Sequence, residues 1–245
     1  MKDEDNWFPS TYFCKSLHLM SHHHNSPILL INTALEEASV GIAMDGKLLN
    51  QMLNPIQKEH ASFLHPAIQS ICKNNGITLK DLKAVSVING PGSYTGLRVG
   101  LSAAKGICYA NQLPLICINT LAWMAFGNKE KAVDLVIPMI DARRMEVFTA
   151  VYSKKMDIVA PPANLILEEL SYAEHLGNHQ ALFIGDGVPK WMSICKHENA
   201  KFDKGIHNET HHAALAEMYF NDKVYSSLFE TSPFYTKEFH NTQKA

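Results

Sequence analysis

The chain has 245 residues, 46% of them hydrophobic, and a formal net charge of −2 with Lys and Arg scattered along its length. That is enough to bury one large core or two small ones, and it excludes the clustered basic footprint of a protein that grips a phosphate backbone unaided. Five cysteines without a C-x-x-C pair exclude a disulfide framework and a zinc ribbon and fit a reducing cytoplasm, while no apolar run reaches membrane-spanning length and the first residues lack the order of a signal peptide.

Residues 1–27 are polar and unpatterned, so a disordered extension is predicted there. His22-His23-His24 is then part of a solvated tail rather than a metal site, and Met20 is an alternative initiator. Alternation begins at Ile28. Segments 28–32, 38–44 and 47–53 read as three strands, turning at Glu36-Glu37 and at Asp45-Gly46, the latter a strong hairpin signal. A helix is predicted over 59–74, with Leu64, Ala67, Ile68, Ile71 and Cys72 on one side, Pro66 kinking it or marking its first turn, and Gly76 ending it. His60 and His65 lie about 140° apart on such a helix and make poor co-ligands.

The chain is organised around 85–108, where a short strand passes through a loop with Gly90, Gly92 and Gly96 into a helix with no breaker before Pro114. A glycine loop at a helix N-terminus suits an anion or a close backbone contact. The phosphate fingerprints do not fit: Leu97 and Arg98 follow Gly96 where a Walker A loop needs Lys and Ser/Thr, and Thr95 stands where a dinucleotide loop needs its third glycine. On the helix, Leu97, Leu101, Ala104 and Cys108 make one stripe for a sheet. Gly96, Gly100, Ala103, Ile107 and Ala110 make a second, of small residues, leaving Arg98, Ser102, Lys105 and Tyr109 for water. From pattern alone, burial inside the domain explains the second stripe as well as a partner helix does.

The strand 84–88, the helix after Gly96 and the run 115–118 complete a β-β-β-α-β-α-β order, a mixed sheet carrying helices, as in an RNase H-like half. Segments 136–140 and 146–152 flank Asp141-Ala142-Arg143-Arg144-Met145 and open a second such unit, which Pro161-Pro162 interrupts. A strand at 181–184 leads into Gly185-Asp186-Gly187, and 210–221 is a helix. Two tandem mixed-sheet βββαβα-type units, 28–121 and a shorter 122–245 with a C-terminal helix, give an α/β actin-like ATPase (RNase H-like) architecture. Asp141 and Asp186 could face the interdomain cleft, but a carboxylate at a hairpin or beside a glycine is more often a turn residue. Serines lie in no nucleophile elbow and the histidines follow no orienting pattern, so no Ser-His-Asp arrangement is legible.

The run Gly90-Pro91-Gly92-Ser93-Tyr94-Thr95-Gly96-Leu97-Arg98-Val99-Gly100 resembles the signature of the TsaB (YeaZ) family, the non-catalytic subunit of the bacterial machinery that makes threonylcarbamoyl-adenosine in tRNA. The similarity runs from about Ile28 to Tyr235, with weaker features at Asn32-Thr33-Ala34, His60-Ala61-Ser62, Asp141-Ala142-Arg143-Arg144 and Gly185-Asp186-Gly187. It implies the actin-like fold, no catalytic residue, metal or cofactor of its own, and a cytoplasmic location away from the membrane. It also implies a TsaD-like transferase and a TsaE-like ATPase as partners, with tRNA reached only through the complex. The helices before and after the loop are then expected to pack on the same two helices of a partner, in a homodimer or with the transferase, through Phe63, Leu64, Gly100, Ala103 and Ile107. The catalytic TsaD paralogues carry a metal-binding H-x-x-x-H after the strand that follows their glycine loop, whereas Ile118-Asn119-Thr120-Leu121-Ala122-Trp123-Met124 here has no histidine. The family usually keeps an aspartate at the first hairpin, where this chain has Asn32, a departure that weakens independent nucleotide hydrolysis. The alternative is a self-sufficient actin-like ATPase or kinase.

Overall fold

The computed structural model describes residues 26–236; the expectations for the N-terminal extension, its three histidines and Met20 fall on residues outside those described. In the first unit β1 (Ile28–Asn32), β2 (Ala38–Met44) and β3 (Lys47–Asn54) form an antiparallel meander, α1 (His60–Asn74) leads to β4 (Ala84–Ile88), and α2 (Tyr94–Asn111) to β5 (Leu115–Ile118). The sheet order is β3-β2-β1-β4-β5, with β4 parallel to both β1 and β5. After α3 (Thr120–Phe126) the second unit repeats the plan with β6 (Leu135–Asp141), β7 (Glu146–Ser153), β8 (Ile158–Ile166), α4 (Ala173–Leu176), β9 (Ala181–Ile184), α5 (Val188–Met192) and β10 (Ala200–Asp203), followed by α6 (Glu209–Asn221). Its order, read from the other edge, is β8-β7-β6-β9-β10, with the same pattern of antiparallel and parallel pairs. The duplicated order is the actin-like, RNase H-like arrangement the sequence predicts.

Strand alternation builds the layers. In β1, Leu29 and Ile31 pack with Leu64, Leu101 and Ala104 of α1 and α2, while Ile28 and Leu30 belong to a second cluster on the opposite face; Val85 and Val87 against Ala84 and Ile88 repeat this in β4. Fully burying each such aliphatic side chain contributes roughly 1.5–3 kcal/mol. The inner cluster continues through Leu121 and Met124 of α3, Ala213 and Ala216 of α6, and Val136 and Ile184 of the second sheet. So α3 and α6 form a layer between the two sheets, α3 against β6 and β7, α6 against β1, β2, β3 and β5. The outer face of the second sheet is closed by Tyr172, Leu176 and Trp191.

Three local features differ from expectation. Pro161-Pro162 does not end the strand: both lie within β8, an edge strand paired only with β7, at the point where the β7–β8 register shifts, so the ladder is interrupted locally and the strand runs on. Pro66 sits in the interior of α1, which excludes the first-turn alternative and leaves the proline inside the helix. And α6, which follows the second unit in sequence, lays its buried face on the first sheet.

Candidate functional site

The loop that leaves β4 is held from both sides. Asn89 N donates to Ile118 O at 2.9 Å and Gly90 O accepts from Thr120 N at 2.8 Å, which ties the loop to the end of β5. Ser93 caps α2, its Oγ accepting from Gly96 N at 3.3 Å, and its own N donates to Ala34 O at 2.7 Å. A Cβ at Gly96 would run into the carbonyl oxygen of Thr33, and Thr33 Oγ1 donates to Gly96 O at 2.7 Å. Gly92 abuts Ala34, Pro91 and Leu97 are buried, and Tyr94, Thr95 and Arg98 reach the surface. The amides of Ser93, Gly96 and Leu97 therefore donate within the protein, and of the two roles open to this loop the structure shows close backbone contact: it clamps the β1–β2 turn, Asn32-Thr33-Ala34.

Behind that turn lies a polar cluster that sequence reasoning missed. Asn32 Oδ1 accepts from Ala34 N at 3.1 Å, and its Nδ2 donates to Glu209 Oε1 at 3.4 Å; Ser39 Oγ donates to the same oxygen. Glu209 Oε2 lies 2.8 Å from His212 Nδ1, and His212 Nε2 lies 2.9 Å from Ser86 Oγ. Burial alone would push the Glu209 carboxyl up. The neighbouring His212 and the bonds from His212, Ser39 and Asn32 outweigh it and hold the carboxyl below its ordinary range. Ser86–His212–Glu209 has the connectivity of a hydrolase triad, but all three residues are buried between α6 and the first sheet, so no substrate reaches the serine. The cluster fixes α6 on the sheet. Its directly bonded partners lie up to 177 positions apart, and the only signal in the sequence was the polarity of residues 32, 39 and 86 on strands otherwise apolar on that face.

The other candidate carboxylates serve turns. Asp141 Oδ1 accepts from Arg143 N and from Lys190 Nζ at 2.6 Å, and Asp186 Oδ1 accepts from Asp141 N at 2.9 Å. His60 is buried with Nε2 3.0 Å from Glu36 O, while His65 is exposed, so the two are not brought together. After β5, Asn119 caps α3, its Oδ1 accepting from Leu121 N and Ala122 N, and Trp123 and Met124 are buried. Among the described residues no group of three or more His, Cys, Asp or Glu is placed to hold a metal, and the four cysteines are free. No described helix is long and apolar enough to cross a membrane.

Between α1 and α2 the surface opens into a groove of about 670 Å³, lined by Ala61 and His65 from one helix and Val99, Ala103, Gly106 and Ile107 from the other. Of the residues expected at a partner contact, Ala103 and Ile107 line this groove, while Phe63 is half-buried against the outer core and is not among the groove's lining residues. Leu64 and Gly100 present no surface: Leu64 is fully enclosed in the outer core, and Gly100 lies under the hydroxyl of Thr33. The two-stripe reading of α2 thus splits, its second stripe being core at Gly96 and Gly100 and groove from Ala103 onward.

Comparison with known proteins agrees with this architecture. A family model described as "TsaD: tRNA N6-adenosine threonylcarbamoyltransferase" matches residues 53–227. The chain is 37% identical over 128 residues to the tRNA threonylcarbamoyladenosine biosynthesis protein TsaB of Escherichia coli, a match covering 52% of this chain and 55% of that one. With the protein of the same name from Haemophilus influenzae it shares 28% identity over 225 residues, 87% of this chain and 94% of the other. In structure it resembles a Pseudomonas aeruginosa protein described as similar to peptidase YeaZ, with a TM-score of 0.74 at 23% identity over 86% of this chain and all of that one. The chain belongs to the family that the model describes, and within it to the TsaB (YeaZ) proteins.

Proposed function

We propose that this chain is an accessory subunit in the making of N6-threonylcarbamoyladenosine in tRNA, without a catalytic site of its own, acting in the cytoplasm. It pairs with a TsaD-like transferase, the pair engages a TsaE-like ATPase, and tRNA is reached through the complex. The names of the relatives carry the pathway. The observation that carries the accessory role is the state of Asn32: where an actin-like ATPase needs a free carboxylate to organise magnesium, this chain has a buried amide already committed to Ala34 N and Glu209. The groove between α1 and α2 supplies the surface for the transferase, small and apolar enough to admit a helix at close range.

Depletion of the protein followed by nucleoside analysis of bulk tRNA tests the pathway, the expected result being loss of the threonylcarbamoylated adenosine. Unchanged modification on full depletion contradicts it. Magnesium-dependent ATP turnover by the purified chain alone would instead favour a self-sufficient ATPase.

A further inference from the structure

Among the described residues the chain passes between the two units twice. It leaves the first unit at the end of β5 and enters α3, which packs on β6 and β7 of the second; it leaves the second after β10, through residues 204–208, to reach α6 on the first sheet. A change in the angle between the units has to turn the backbone at these crossings. The first is tied to the glycine loop by the bonds from Asn89 N to Ile118 O and from Thr120 N to Gly90 O. The second has the composition of a hinge, with Gly205 at φ 79° and Gly127 alongside it.

Asn128 holds that second crossing. The residue is 1% exposed and its amide is fully used: Nδ2 donates to Met124 O of α3 and to Ile206 O, both at 2.9 Å, and Oδ1 accepts from Ile206 N at 2.8 Å. Both backbone groups of Ile206 are thus bound to the residue that follows α3, and a side chain at Gly127 would collide with the Ile206 carbonyl. On one side of this pair Lys204 O accepts from Gly185 N at 3.2 Å. On the other, Asn208 joins the units, its Oδ1 accepting from Thr210 N and His211 N of α6 while its carbonyl accepts from Trp123 Nε1 of α3 at 3.1 Å. Turning 204–208 as a hinge therefore breaks the two Asn128–Ile206 bonds and the Trp123–Asn208 bond together, and both side chains that lose a partner are buried.

We propose that Asn128 is a lock on the angle between the units: it pins the returning chain to α3, so that the two halves keep one relative placement and the chain acts as a single rigid body. Proteins that close two halves around a ligand take up the motion in a few residues free to change φ and ψ, and here the segment is held at every second position. The lock does not depend on the accessory role proposed above. Its consequence is that surfaces on the two units are presented at one fixed spacing.

The test is hydrogen exchange of the full chain read by mass spectrometry, with small-angle scattering and a thermal melt of each variant. Asn128→Ala is expected to raise exchange in 204–209 roughly ten-fold with β1, β4, β6 and β9 unchanged, and to turn a scattering curve that one fixed arrangement fits into one that needs a mixture. Asn128→Asp keeps the acceptor for Ile206 N but loses both donated bonds; it is expected to show the same selective rise, and it serves if Asn128→Ala does not fold. Ile71→Val, a mild loss in the core under α1, should leave 204–209 protected. Unchanged exchange there in the Asn128 variants, a rise spread evenly over both sheets, or a rise matched by Ile71→Val would overturn the lock. A change in the scattering of the unmodified chain on adding magnesium and ATP would overturn it too, since locked units have no second arrangement to move to.

Discussion

Glu209 and His212, three residues apart on α6, make a side-chain contact of 2.8 Å with both side chains enclosed, and each continues to the first sheet, the carboxylate to Ser39 and Asn32 and the imidazole to Ser86. A helix that follows the second unit is thereby attached to the first by groups that have no water to fall back on. Truncating one partner of such a buried pair costs about 3–5 kcal/mol. Glu209→Ala is accordingly expected to lower the melting temperature by roughly 6–20 °C at about 2–4 °C per kcal/mol for a chain of this size, and Glu209→Gln by less, since the amide keeps the shape and part of the bonding. A melt of Glu209→Ala indistinguishable from the unmodified chain would show the cluster to be energetically neutral.

The same carboxylate contributes to the acid sensitivity of the fold. Its folded-state pKa is held below the ordinary value of 4.5, so the unfolded chain binds the proton first, and the stability it contributes is present above 4.5 and is lost as pH falls through the lowered folded value. Urea titrations from pH 6 down to pH 3 should show a steeper fall for the unmodified chain than for Glu209→Gln. Parallel curves would rule this out.

A second titrating feature acts nearer neutrality. His207 and His211 pack edge-on to Trp123 and Phe126 of α3, and burial pulls both imidazoles below their ordinary value of 6.5, helped at His207 by the charge of His211. Their unfolded forms take up protons first, so stability is complete above 6.5 and declines as pH drops below it, until the folded values are passed. His207→Phe combined with His211→Leu should flatten the slope between pH 6.5 and pH 5, read by chemical denaturation at each pH. An unchanged slope would assign it to other groups.

Two glycines of α2 should respond in opposite directions. Gly96→Ala would drive a methyl into the Thr33 carbonyl and separate the loop from the β1–β2 turn, an overpacking cost of about 1–3 kcal/mol or more. Gly106 has open space around its added Cβ and sits on the exposed side of the helix, so Gly106→Ala should stabilise the monomer by about 0.8–1 kcal/mol through helix propensity. Differential scanning calorimetry of the pair decides it; equal shifts would contradict the geometry.

Neighbouring alanines separate core from groove. Ala103 lines the groove although only 7% of it is accessible, whereas Ala104 is wholly enclosed against the sheet. Ala103→Arg should weaken pairing with the transferase by roughly ten- to a hundred-fold, an overpacking cost of about 1–3 kcal/mol, while the fold survives. Ala104→Arg should unfold or strongly destabilise the chain. If Ala103→Arg lowers the melting temperature as much as Ala104→Arg does and leaves pairing intact, the groove is only core.

Much of this fold was legible because its rules are local. The alternation of β1, β2 and β4 and the Asp45-Gly46 turn, which has positive φ at both residues (51° and 72°), follow from neighbours a few positions apart. The β6–β7 turn of the second unit also makes a left-handed pair, from Arg143 and Arg144 at φ 69° and 50°, residues that carry no turn signal. Pro161-Pro162 shifts the register of the ladder without ending the strand, because an edge strand accommodates a bulge, and edge status is a property of the sheet. The candidate site divides the same way. The clamp by Gly96 sits in a recognisable run, whereas the bonds from Glu209 to Asn32 and from Arg98 to Tyr235 join positions whose proximity only the folded chain creates.

The return of α6 to the first sheet bears on the order in which the protein can be finished during synthesis. Ile28, Leu30, Ile116 and Ile118 face the inner layer, and the helix that covers them ends at Asn221. At roughly 5–20 residues per second, the ribosome needs about 5–20 s after making β5 to deliver it. Throughout that interval the nascent first unit is without the α6 cover that its apolar inner sheet face has in the finished protein.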